Sequence, residues 1–290
     1  LTHSKKIAMA QMRPALGDVS ANLDKHLVWI GEAHRAGADI VVFPELGLTG
    51  YQVQDMTLDV ARTLNHTDIT TIVQASREID IVFSFIEETD THLFYVSAVY
   101  ASAGRIVHVH RKVYLPTYGM FDEGRYFARG DTFQTFETTH ATVGLMICED
   151  AWHVTSPNLL VLGGAGVLLL PASSPARSVS AEKGFGSERF WQELVEVYAT
   201  LFGTPIVFVN RVGFEDGINF FGASGIISAE GEWMCRAPRF EEGLFYGTLD
   251  LSANRRARFG TPILRDEQPY LIQREISRIL GERDKERNRT

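Results

Sequence analysis

Apolar residues along the chain repeat in two alternating rhythms. In "NLDKHLVWIGEAHRAGA", Leu23, Leu27, Ile30 and Ala33 recur at helical spacing, with Asn22 placed to cap the helix. "DIVVF" follows as a continuous apolar run, the pattern of a buried strand. The unit recurs: "DITTIVQASREI" predicts a helix and "IDIVFSFIEE" a strand. "LFYVSAVYASAGRIVHVHRK" predicts two strands around the turn Ser102-Ala103-Gly104. "ATVGLMIC" reads as a strand, "SPNLLVLGGA" as a helix ending at glycine, and "GVLLLP" as a strand. "SERFWQELVEVYATLFG" is the strongest helical pattern, with Phe190, Leu194, Val197 and Leu201 on one face. "TPIVFVN" predicts a strand, "FFGASGIISAEGEWMCRAP" a hairpin and "GLFYGTLDL" a last strand. Helices alternating with many strands predict an α/β sandwich.

From about Asn254 the pattern changes to an arginine cluster and then "PYLIQREISRILGERDKERNRT". Residues 1–252 are read as one domain and 253–290 as an extension, either a solvated helix or an arm packing on another subunit. No repeat or low-complexity linker divides the chain.

Charge and cysteine content narrow the class. A formal net charge of −8 over 290 residues argues against nucleic acid or an anionic membrane as main partner. Two cysteines, Cys148 and Cys235, make no disulfide framework and suit a reducing compartment. The N-terminus turns polar too soon for a signal peptide. "LLVLGGAGVLLLP" is too short and Gly-interrupted to span a bilayer. A cytoplasmic location is expected.

Three reactive residues fall just beyond strand cores: Glu45 after "DIVVFP", Lys112 after "RIVHVHR" and Cys148 closing "TVGLMIC". In open α/β sheets, sites gather outside the carboxyl ends of strands. A thiol needs a base to become a nucleophile, a carboxylate can carry that proton to a leaving amine, and an ammonium can stabilise an oxyanion. These groups suffice for acyl transfer through a thioester. The backbone N–H of Glu149, next after Cys148, is a candidate second oxyanion donor. Each residue alone has a plainer reading, as a packed thiol, a turn carboxylate or a solvated edge charge. Their joint placement favours chemistry.

"VVFPELGLTGY", "HRKVYLPTYGMFDEGRYFARGD" and "GLMICEDAWH" resemble the three signature blocks of the nitrilase, or carbon–nitrogen hydrolase, superfamily, in the same order. The resemblance runs from Ile7 to about Leu251. It implies a four-layer α-β-β-α sandwich and a Glu-Lys-Cys triad of Glu45, Lys112 and Cys148, with Glu123 as a second glutamate near the lysine. It also implies a homodimer or higher homo-oligomer and no cofactor. Tyr51, Tyr118, Trp152 and Asn210, at strand ends or in block turns, are candidate pocket residues, with structural packing the competing reading.

Within the superfamily, "KVYLPTYGMFDEGRYF", "CEDAW" and "VFVNRVG" look most like the glutaminase domain of glutamine-dependent NAD synthetases. The chain departs from that pattern: it has no SGGxDS-type loop, Thr117 stands where asparagine is usual, and "PASSPARS" replaces an asparagine-alanine-serine-proline run. A free-standing amidase acting on another small linear amide is therefore expected. The alternatives are a nitrilase or N-carbamoyl hydrolase, a glutaminase subunit feeding a separate synthetase, and a non-catalytic binding protein of the same fold.

Other signals carry less. His108 and His110 share a strand face, but no third metal ligand is spaced with them, so they read as half-exposed strand histidines and no metal is expected. "GFGSER" and "GGAG" lack the order of a phosphate loop, and "FGASGI" lacks nucleophile-elbow spacing. Cys235 reads as structural.

Overall fold

The computed structural model describes residues 4–177, 179–180 and 184–287. Residues 1–3, Ser178, residues 181–183 and the last three residues of the tail lie outside the description.

Two six-stranded sheets carry the fold. The first runs, in spatial order, Gly243–Asp250, Ser4–Gln11, Ile40–Val42, Asp80–Glu88, Phe94–Ser102 and Arg105–Arg111. The second runs Trp233–Arg236, Gly225–Ile227, Ile206–Asn210, Val167–Ala172, Thr142–Leu145 and Thr135–Glu137. In each sheet three strands are mutually parallel and the flanking pairs are antiparallel. The first strand, Ser4–Gln11, escapes the hydrophobic pattern because it opens on a serine and two lysines.

Alternation along one strand shows the layering. Val167 and Leu169 join the core shared with Ile7, Met9 and Val82 of the first sheet. Leu168 and Leu170 instead pack with Trp191, Val195 and Tyr198 of the helix Gly186–Phe202. A strand buried on both faces is apolar throughout, which is why "GVLLLP" shows no alternation. Helices Val19–Arg35 and Thr67–Ala75 accompany the first sheet. The result is the four-layer α-β-β-α sandwich.

Three local expectations need correction. Asn22 does not cap the helix Val19–Arg35; Asp18 does, its carboxylate accepting the Ala21 N–H at 3.0 Å. Asn22 is instead buried, bonding Ala15 and Leu48. On Gly186–Phe202 the stripe facing the core is Trp191, Val195, Tyr198 and Phe202, while Phe190, Val197 and Leu201 remain partly exposed. The helix carries two apolar stripes, and the sheet beneath it takes the one with Trp191, Tyr198 and Phe202, whose aromatics bury roughly 150–250 Å² each. Finally, the strands before Glu45 and Cys148 end earlier than the apolar runs do, at Val42 and Leu145.

The hairpin turn forms as expected, with Ala103 and Gly104 both at positive φ, the conformation of a tight two-residue turn. Beyond Asp250 lie helices Ala253–Gly260, Ile263–Asp266 and Pro269–Arg287. The first is tied to the body: Asn254 donates to the Gly166 carbonyl and Arg258 to the Ala165 and Gly203 carbonyls. Pro269–Arg287 exposes Tyr270, Ile276 and Leu280. Among the described residues, no helix is long and apolar enough to cross a membrane.

Candidate active site

Pro44 cannot donate to a ladder, so the chain leaves the sheet there and Glu45 enters a turn. The turn is held from both sheets. Leu46, at φ +50°, donates its N–H to Ser84 Oγ at 3.1 Å, and Ser173 Oγ donates to the Glu45 carbonyl at 2.8 Å. Glu45 is fully buried. Its Oε1 accepts from Lys112 Nζ at 2.6 Å, while Oε2 has no hydrogen-bond partner among the described residues.

Lys112 follows the strand Arg105–Arg111, and its carbonyl accepts the Gly130 N–H at 2.8 Å. A side chain at residue 130 would meet the Arg111 carbonyl at 2.1 Å, so only glycine allows this approach. Lys112 Nζ also donates to Glu123 Oε1 at 2.8 Å, and Tyr51 OH donates to the same oxygen. Burial opposes the lysine's charge, but Glu123 and Glu45 overcome it and hold its pKa well above the usual value. Lys112 is therefore a fixed cation rather than a base. Burial pushes Glu123 up to about 7, against the pull of Lys112.

Cys148 opens the short 3₁₀ turn Cys148–Trp152 at φ +41°, a strained position for a residue with a side chain. Burial and then Glu45 raise its thiol well above the ordinary value, only partly opposed by Lys112 and the Ser173 backbone. The resting side chain is thus a thiol, and it needs a base. Asp150, fully buried in the same turn, accepts four hydrogen bonds. Oδ1 takes the N–H groups of Val113 and Tyr114, both at 3.0 Å, and Oδ2 takes the Ile147 N–H at 3.0 Å and His110 Nε2 at 2.8 Å. One carboxylate thereby fastens the cysteine turn to the lysine segment.

The half-buried Cys148 opens onto a pocket of about 200 Å³ lined by Tyr118, Phe121, Glu149, Trp152 and Arg177. Trp152 stacks on Phe190 at 4.0 Å. Tyr118 OH donates to the Glu149 carboxylate at 3.0–3.1 Å, and burial raises the Glu149 pKa.

Of the residues expected from sequence, Glu45, Lys112, Glu123 and Cys148 come together, and Tyr118 and Trp152 line the pocket. Two candidate pocket residues do not line it. Tyr51 lines a separate cavity of about 210 Å³ beside Glu123. Asn210 is buried and braces the chain after Val167–Ala172, accepting the Ser174 N–H at 2.8 Å and donating to the Gly222 carbonyl at 3.1 Å. His110 is buried against Asp150, not half-exposed. Cys235 donates its thiol to the Tyr246 carbonyl. Among the described residues no group of three or more His, Cys, Asp or Glu could hold a metal ion.

Sequence reasoning missed Asp150, Ser173, Arg177 and Glu215. Asp150 had one available signal, its place two residues after Cys148. Glu215 had none. Its Oε1 accepts the N–H groups of Tyr51 and Gln52 at 2.8 and 2.7 Å, and Arg211, fully buried over Phe220, pairs with its other oxygen at 2.7 Å.

Residues 6–259 match the carbon–nitrogen hydrolase family. The chain is 34% identical over 253 residues to the glutamine-dependent NAD(+) synthetase of Acinetobacter baylyi, covering 87% of this chain and 45% of that protein. It therefore spans about half the length of the synthetases it matches. It is 31% identical to N-carbamoylputrescine amidase of Oryza sativa, covering 92% of this chain and 93% of that protein. The crystal structure of carbon–nitrogen hydrolase from Helicobacter pylori G27 aligns with a TM-score of 0.80 at 24% identity, covering 92% and 96% of the two chains. The chain belongs to the carbon–nitrogen hydrolase family and is an enzyme of that class.

Proposed function

We propose that the chain is an amidase that converts a small linear amide to a carboxylate and ammonia through a thioester on Cys148. The observation that carries this reading is the state of Glu45. One oxygen is held by Lys112, the other is buried and unpaired, and Glu45 is the charge acting most strongly on the Cys148 thiol. A buried unpaired carboxylate oxygen is costly unless it has a proton to receive.

In the proposed reaction Glu45 takes the thiol proton as sulfur bonds the amide carbon, and the carbonyl π electrons move to oxygen. The oxyanion lies between the Lys112 ammonium and the Glu149 N–H, one of the donors that the first turn of a helix leaves unpaired. As the oxyanion collapses the C–N bond breaks, and Glu45 returns its proton to the leaving nitrogen, releasing ammonia. Glu45 then takes a proton from water as the water oxygen bonds the thioester carbon; the C–S bond breaks, Glu45 returns that proton to sulfur, and the acid product leaves with Cys148 again a thiol. Glu123 holds Lys112 in place. No step uses a cofactor, and the expected assembly is a homodimer or larger homo-oligomer.

A second reading is an N-carbamoyl hydrolase, favoured by the near-complete mutual coverage with N-carbamoylputrescine amidase. Ammonia release across simple amides, nitriles and N-carbamoyl compounds tests both. Turnover of simple amides supports the first, and turnover of carbamoyl compounds alone supports the second. Release from glutamine only with a synthetase present would make the chain a glutaminase subunit. Release from none, with Cys148 inert to alkylation, would make it a binding protein.

A further inference from the structure

We propose that Arg177 makes the Cys148 pocket a site for amides that carry an anionic tail, a carboxylate at the end of the chain opposite the scissile amide. This rests on the amidase reading and names its substrate class. Arg177 lines the same pocket as Cys148, Tyr118 and Glu149. Its guanidinium lies over the Phe121 ring, 5.6 Å from the centroid. Gly119, at φ +64°, leaves room for it: a Cβ there would sit 2.7 Å from an Arg177 terminal nitrogen. With glycine there the guanidinium keeps this position, whereas a side chain at 119 would push its flexible end aside.

The charge is held, and no described carboxylate neutralises it. Among the described residues Arg177 forms no ion pair with Asp or Glu, whereas Arg211, Arg236 and Arg239 each have a carboxylate. Among the described residues lining the pocket Glu149 is the one carboxylate, and the Tyr118 hydroxyl shares its proton between the two oxygens. The remaining walls, with Trp152, Phe190 and Trp191, suit a short methylene chain. A pocket with a nucleophile, apolar sides and a planar cation that no described carboxylate pairs selects a flexible amide ending in a carboxylate, which a guanidinium can grip with two parallel hydrogen bonds. A cationic tail placed at the same end would meet the like charge of Arg177.

The test compares three amides of matched length: one ending in a carboxylate, its methyl ester, and one ending in an ammonium. Wild-type kcat/KM should be highest for the carboxylate, by about tenfold or more over the ester. Arg177→Met should lower kcat/KM for the carboxylate by about tenfold or more and for the ester by much less, so that the ratio of the two falls toward one. Arg177→Lys should keep part of the preference. Preference for the ammonium compound, or an equal loss on all three in Arg177→Met, would overturn the assignment.

A second measurement does not need turnover. The rate at which iodoacetate labels Cys148, relative to neutral iodoacetamide, should fall in Arg177→Met. An unchanged ratio contradicts an anion site. A lower ratio in a protein that hydrolyses none of the three amides would retain the site while removing the amidase reading.

Discussion

His110 Nε2 lies 2.8 Å from Asp150 Oδ2, with both side chains buried, and this contact joins the strand that delivers Lys112 to the turn that delivers Cys148. Asp150 makes the joint with four accepted hydrogen bonds. Asn is almost the same size but offers only one acceptor oxygen, so its NH₂ would face N–H donors. Asp150→Asn is therefore expected to destabilise the fold by about 2–4 kcal/mol. It should also lower kcat more than it raises KM, because Lys112 and Cys148 would lose their common anchor. Urea unfolding and steady-state kinetics on the same preparation check this. Unchanged stability would show that Asp150 does not carry the joint.

Glu123 gives a pH dependence of stability with a definite sign. Its folded pKa, about 7, stands above its ordinary 4.5, so the folded state binds that proton more tightly than the unfolded chain does. The stability this contributes is fully present below pH 4.5 and is lost as pH rises through about 7. Between those values the slope is at most about 1.4 kcal/mol per pH unit. Glu123→Gln should flatten this part of the curve. Denaturant midpoints measured at several pH values test it, and an equal slope in both proteins would contradict the assignment.

Tyr51 donates to Glu123 Oε1 and so favours the ionised form of Glu123. Tyr51→Phe removes that donor and should raise the Glu123 pKa further. If ionised Glu123 is needed to hold Lys112, the acid limb of the pH profile of kcat/KM moves to higher pH. Glu215→Gln should produce a shift of the same sign, since Glu215 holds the Tyr51 backbone. A shift toward lower pH in Tyr51→Phe would reverse the argued direction of the hydrogen bond.

The layers and the Glu45, Lys112, Glu123 and Cys148 cluster were legible because they rest on local signals. Continuous apolar runs mark strands buried on both faces and lead to Glu45 and Cys148, Lys112 follows an alternating strand, and Glu123 was legible only by its place in a block that resembles the carbon–nitrogen hydrolase signature. What escaped was set by distant partners. The stripe that Gly186–Phe202 buries depends on the sheet beneath it, which no single helix encodes. Tyr51 and Glu215 meet across 164 positions of sequence, and a glutamate after "RVGF" carries no local mark of that role. Asn210 was read as a pocket residue from its strand-end position, but its side chain turns to the neighbouring loops to satisfy buried backbone groups. Strand ends locate a site, while side-chain direction decides which of their residues enter it.

The central claim is covalent catalysis by Cys148 with Glu45 as the base, and rapid-quench mass spectrometry of the protein mixed with a substrate amide tests it most directly. The wild-type protein should carry an acyl mass on the peptide containing Cys148 and none on that containing Cys235. Cys148→Ala should show no adduct and lose several orders of magnitude in turnover, and Cys235→Ala should behave as wild type. Glu45→Gln, which keeps size and hydrogen bonding but cannot take the thiol proton, should not acylate. An acyl-enzyme forming at the wild-type rate in Glu45→Gln, or turnover persisting in Cys148→Ala, would contradict the account.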